Sequence, residues 1–179
     1  MSKKCVIYVW IIFGLIAASC AEQPNALVVM THDSFSISEG TISQFEEAHG
    51  VDVIFLPSGD AGSALNRAIL AKDAPVADIL FGIDNTFLSR ALEENIFEVY
   101  RSPLLSGVPE ELKLDPSGHV VPVDYGDVCI NYDKQYFADH ALTPPMSLDD
   151  LLDPSYNTLL VVENPATSSP GLAFLLATI

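Results

Sequence analysis

Three short apolar runs, each followed by a stretch with helical spacing, constrain this chain more than any other feature. "ALVVMT" begins at residue 26, "VDVIFL" at 51 and "ADILFG" at 77. Each has the length of a buried strand and is bounded by polar or turn-forming residues. Between the first two, Ile42, Phe45 and Ala48 fall on one helical face, with Thr41 as the expected N-cap and Gly50 as the closing glycine. Residues 62–72 place Leu65, Ala68 and Ile69 on one face of a second helix, and residues 85–95 form a third. Strand and helix alternating in this way build βαβ units, hence an α/β fold with a mostly parallel sheet and flanking helices.

The texture changes after Ile96. A Pro-, Gly- and Ser-rich connection leads to residues 120–134, which read as two extended segments around Asp124-Tyr125-Gly126. Residues 147–154 suggest a short helix capped by Ser147, and residues 158–164 another buried strand. That strand opens into "ENPATSSPGLAFLLATI", where Ser168 and Ser169 before Pro170 fit a helix start. The apolar run that follows has no glycine stop.

Charge and the first 20 residues restrict the setting. The 179-residue chain has eight Lys and Arg against 24 Asp and Glu, which argues against a nucleic-acid partner because phosphate contacts need a basic face. Residues 1–20 read as an export signal: Lys3 and Lys4 precede an uncharged stretch from Val6 to Ala18, followed by small residues. Cys20 follows Ala17-Ala18-Ser19, which resembles the lipobox of bacterial lipoproteins although Ala17 replaces the usual Leu. Cys20 is therefore the expected lipidation site, with residues 21–26 as a tether. Cys129 would then stand alone, as a small hydrophobe inside a strand, and no disulfide or paired-cysteine metal site is expected.

In open α/β sheets ligands gather where strands end and helices begin, because free N–H groups and helix dipoles converge there. Four polar junctions meet that description: "THDSF", "PSGDAGS", "GIDNT" and "ENPATSSPG". Their binding candidates are His32, Asp33, Asp60, Ala61, Gly62, Ser63, Asp84, Asn85, Thr167 and Ser168, with Asp124 and Tyr125 from the later crossing. Several of these have a purely structural alternative. Asp60, Asp84, Asn85 and Ser168 suit helix capping, and Asp33 an Asx turn. The sequence lacks nucleophile-elbow, phosphate-loop, zinc-protease and dinucleotide signatures, and its four histidines lack metal-ligand spacing. Neither a cofactor nor a metal is expected.

"THDSF", "LNR", "ADILFGIDN", "VPVDYGDVCINYDK" and "NPATSSPGLAFLL" occur in that order and resemble the substrate-binding proteins of bacterial thiamine ABC transporters, within the type II periplasmic binding proteins. The resemblance implies two α/β lobes in a protein about twice this long. Residues 27–123 would form the first lobe, and 124–179 the crossover and the incomplete start of the second. It implies a monomeric, extracytoplasmic receptor that is no enzyme, delivering thiamine or its phosphate esters to an ABC permease. Ferric-iron or polyamine receptors of the same fold are the alternatives, and beyond them an exported thiaminase-like or pyrimidine-synthase-like enzyme with Cys129 as nucleophile. In such relatives the phosphate or hydroxyethyl end of the ligand lies near the loops matching residues 60–63 and Ser168. Tyr125 would stack on the cationic ring, with Asp84 and Asp124 supplying negative potential. His32 stands where the family has Tyr, so ligand preference need not follow the family.

Overall fold

The computed structural model describes residues 25–179. The export signal, Cys20 and most of the tether lie outside the described residues. Strands β1 (Ala26–Thr31), β2 (Asp52–Pro57) and β3 (Ile79–Leu80) form a parallel sheet in the order β2-β1-β3. Ala26 pairs with Asp52 and Val29 with Ile79. The third strand is shorter than the apolar run predicts, but Asp78 N donates to Val28 O and Phe81 N to Met30 O, at 2.9 and 2.8 Å, carrying the pairing past both ends. The Asp78 carboxylate also accepts from Val28 N at 2.8 Å.

Helix α1 (Glu39–His49) starts earlier than expected. Ser38, extended at φ −71°, is the N-cap, and Thr41 lies inside the helix with its hydroxyl against Ser38 Oγ at 2.7 Å. Gly50 closes the helix in the left-handed region at φ 64°, where glycine carries no Cβ penalty. Glu46 ties this helix to β2 by accepting from Val53 N at 2.9 Å. Helix α2 (Ala61–Leu70) packs against β1 and β3. Helix α3 (Leu88–Glu93) is the short remnant of the longer helix expected over 85–95. Leu65, Phe87 and Ala91 form the centre of the core, joined by Ile69, Leu80, Ile83, Ile96, Phe97 and Leu172. The last belongs to helix α5 (Ser169–Ala177), so a segment distant in sequence seals the core made by α2 and α3. Thr178 closes α5 without a glycine, its N–H and hydroxyl both donating to Leu175 O.

The later segments differ from expectation. Residues 120–133 and 158–164 form no strand, and Val123, Tyr125 and Val161 are 75%, 80% and 90% exposed. Strand propensity becomes a strand only where a ladder and a packing layer receive it; neither segment pairs with the three-stranded sheet. Cys129, expected inside a strand, is exposed for the same reason. Helix α4 (Lys134–Asp139) follows, capped by Asp133, whose carboxylate accepts from Gln135 N and Tyr136 N. The helix expected over 147–154 is instead two 3-10 turns, Asp149–Leu152 and Pro154–Tyr156. Pro154 cannot continue the first, although Ser147 Oγ does accept from Asp150 N.

Leu65 is fully buried, so Leu65→Ala should destabilise the fold by about 2–5 kcal/mol in chemical denaturation. Asp115 provides a pH test. Slight burial disfavours its charge, but hydrogen bonds from the Ser117 hydroxyl and from the N–H groups of Val120, Ser117 and His119 outweigh that and hold its pKa at about 2, against an ordinary 3.8. Its contribution is complete above pH 3.8 and fades as pH falls towards 2. Asp115→Asn should therefore flatten the acid limb of a stability-versus-pH curve in that window and leave its shape unchanged above it.

Candidate functional site

The polar junctions after the three strands are joined directly. Beyond β1, Asp33 N donates to Gly59 O at 2.9 Å, and Gly59 N returns a bond to Asp33 Oδ1 at 2.8 Å. This reciprocal pair locks the β1 loop to the β2 loop, so Asp33 serves a cross-loop contact rather than a local Asx turn. The β3 loop joins through His32, whose Cδ2 lies 2.8 Å from where a Cβ on Gly82 would stand. Below them is an aromatic cluster: the His32 ring centroid is 6.4 Å from Phe35 and 5.9 Å from Phe81, and Phe35 lies 5.3 Å from Phe55.

The fourth loop docks on the start of α2. Gly62 N donates to Thr167 O at 2.9 Å, and Thr167 Oγ1 donates to Asp60 Oδ2 at 3.2 Å. Asp60 occupies the N-cap position of α2 but makes no side-chain capping bond, because its carboxylate is turned to Thr167. A Cβ on Gly62 would stand 2.9 Å from Phe87 Cζ and 3.0 Å from Thr167 O. On the other side of the loop, Ser168 is buried and caps α5, accepting from Gly171 N at 3.3 Å. Its own proton goes to the Glu163 carboxylate. The N-terminal ends of α2 and α5 thus meet across a backbone contact. Ala61 and Ser63 are half-buried in the first turn of α2.

Asp84 and Asn85 cap no helix, since α3 starts behind Phe87 without a side-chain cap bond; Asp84 instead makes an Asx turn, accepting from Thr86 N at 3.0 Å and Thr86 Oγ1 at 2.7 Å. Asn85 is exposed beside it. Asp124 and Tyr125 are both exposed and no hydrogen bond or ring contact ties them to the four loops. The expected aromatic partner for a cationic ring is therefore not assembled with the others. Sequence reasoning missed Gly59, Gly82 and Glu163. The first two follow strands directly, in "PSGD" and "LFGID", which is the available signal for a backbone approach; Glu163 had none.

The carboxylates of the rim are held without ion pairs. Asp33, Asp60, Asp84 and Glu163 all accept from neutral donors. The ion pairs among the described residues are Lys72–Glu94 and Lys113–Glu110, and neither involves the rim. Arg67 donates to Ser58 Oγ at 3.0 Å rather than to a carboxylate. Among the described residues no group of three or more His, Cys, Asp or Glu is placed to hold a metal ion. A shallow depression of about 500 Å³ runs along α2 from Ser63 to Val76 and shares only Ser63 with the binding candidates.

Comparison with known proteins gives a consistent set of likenesses. Residues 74–179 match the family described as bacterial extracellular solute-binding protein. The thiamine-binding periplasmic protein of Salmonella typhimurium is 31% identical over 170 residues, covering 90% of this chain and 49% of that protein. That of Escherichia coli is 30% identical over 184 aligned positions, covering 98% and 52%. The chain therefore spans about half the length of the curated relatives it matches. Among solved structures, a periplasmic thiamin binding protein superposes with a TM-score of 0.61 at 26% identity, over 88% of this chain and 49% of the other. The periplasmic binding protein AfuA of Actinobacillus pleuropneumoniae, with exogenous fructose-6-phosphate bound, superposes at 0.63 over 80% and 46%; at 22% identity this shows the fold alone.

A Cβ on Gly171 would stand 2.6 Å from Glu163 O and 2.9 Å from its carbonyl carbon, both backbone atoms that cannot rotate away. Gly171→Ala should therefore undock the 163–168 loop and lower stability by about 1–3 kcal/mol, read by thermal and chemical denaturation. A denaturation midpoint equal to the parent's would show that the loop yields freely.

Proposed function

The chain belongs to the family of bacterial extracellular solute-binding proteins, and from that premise we propose that it forms part of a receptor for thiamine. In this reading the receptor acts outside the cytoplasmic membrane as a monomer and delivers its solute to an ABC permease. Residues 1–20 direct export, Cys20 carries a lipid anchor and the tether expected over residues 21–26 ends short of Ala26, which belongs to β1. Residues 27–123 form most of a first lobe, the chain crosses near Asp124 towards a second, and α5 returns to the first-lobe core through Leu172; closure about the crossing holds the solute.

The observation that carries the proposal is the rim itself: four loops converge, and their carboxylates have no cationic partner. Carboxylates fixed side by side without a cationic partner attract a cation, and thiamine bears a permanently charged thiazolium. His32, Asp33, Asp60, Ala61, Gly62, Ser63, Asp84, Asn85, Asp124, Tyr125, Thr167 and Ser168 are the residues assigned to it. Asp60 and Asp84 supply the field, while Ser63 and His32 hydrogen-bond the uncharged parts. Because the Ser168 proton is already given to Glu163, a phosphate ester gains less from Ser168 than a free helix start would offer.

The same negative rim also suits a polyamine, which makes that the competing ligand class. An enzymatic reading rests on Cys129, which is exposed and has no acid–base group bonded to its side chain. Calorimetric titration of the full-length protein with thiamine and with spermidine separates the two. Saturable heat and a rise in melting temperature with thiamine are expected. Silence at millimolar thiamine abandons the thiamine reading, and a response to spermidine alone replaces it.

A further inference from the structure

Gly82 follows β3 with φ +107°, a region that L side chains rarely adopt. Its missing side chain also matters to a neighbour, since a Cβ there would stand 2.8 Å from Cδ2, 3.7 Å from Cγ and 3.8 Å from Nε2 of His32. The His32 ring occupies that space, bounded by Phe35 and Phe81. No hydrogen bond within the described residues engages its ring nitrogens, and neither is closed off from solvent without a partner. An imidazole packed on three sides with both nitrogens unspent is set up to hydrogen-bond something outside the chain.

We propose that Gly82 is the positioning residue for His32, and that the absence of a side chain at 82 sets where the imidazole meets the solute. The inference rests on the receptor reading, because it names the group that orients one of the residues assigned to the ligand. Any β-carbon at 82 moves the ring off the β3 loop and out of the place fixed by Phe35 and Phe81. Backbone strain at φ +107° is a separate consequence of the same substitution, and the test must divide the two.

A double-mutant cycle makes that division in the full-length protein, with thiamine as the probe and each variant's folded fraction checked by its melting curve. Gly82→Ala should weaken binding about tenfold, the factor a lost hydrogen bond to ligand commonly costs. His32→Ala should weaken it to a similar extent. In the double variant the ring is gone, so adding Gly82→Ala to His32→Ala should change affinity by less than about twofold. Losses that simply multiply would overturn the proposal. If Gly82→Ala alone does not fold, recovery of folding in the double variant supports ring displacement; without recovery the backbone strain at φ +107° accounts for the loss, and the Overhauser contact below decides the proposal. A nuclear Overhauser contact between His32 Hδ2 and Gly82 Hα in the unliganded protein is required in any case, and its absence also overturns the proposal. Failure of the wild-type protein to bind thiamine would strike the receptor reading, whereas the Overhauser contact decides the His32–Gly82 packing without any ligand.

Discussion

Backbone meeting backbone, at positions where a side chain has been left out, holds the rim together. Gly62 lets the carbonyl of Thr167 reach the start of α2, and Gly171 lets the start of α5 lie against Glu163. The second approach is closer than a β-carbon tolerates, and the first, at 3.0 Å, is tighter than one ordinarily takes. The hydrogen bond from Gly62 N to Thr167 O satisfies one of the donors that every helix start leaves open, so the contact also completes α2. With the loop in place, Leu172 reaches the core around Leu65 and Phe87. Remove the close approach, and the rim and part of the core separate together.

Charge on this rim follows from which donors the carboxylates found. A carboxylate accepting from backbone N–H or a hydroxyl is held in position but keeps its full charge, whereas one paired with Lys or Arg is neutralised. Asp33, Asp60, Asp84 and Glu163 are all of the first kind. In a chain with three times as many acidic as basic side chains this is partly a matter of supply. Its consequence is local all the same: four fixed negative groups stand among loops that offer hydroxyls, N–H groups and one imidazole, with the Arg67 guanidinium bonded to Ser58 Oγ. Such a surface discriminates by sign before it discriminates by shape.

The segments beyond residue 120 illustrate a different dependence. Val120, Val121, Val123, Val128 and Ile130 have the composition of strands, as do Leu159 to Val162, yet none of them enters a ladder. A helix satisfies its own backbone, which is why α4 forms between these segments with only Asp133 to cap it. A strand needs a second strand and a packing layer, and these are long-range properties. Strand expectations drawn from composition are correct in β1 and β2, where each has the other, and fail where no partner strand is supplied.

Periodicity and capping residues determined the α/β class, the order of β1, α1, β2, α2 and β3, and the polar character of the turns between them. These are local properties: a strand-length apolar run, a 3.6-residue repeat, a serine ahead of a helix and a glycine behind it act within a few positions. Only the tertiary structure decided that Asp60 would accept from Thr167 instead of capping its own helix, that Ser168 would give its proton to Glu163, and that Asp124 and Tyr125 would stand apart. Asp60 and Thr167 are 107 positions apart, and no neighbour pattern encodes such a meeting. It arises when the core around Leu65 closes and brings two helix starts within reach of one loop.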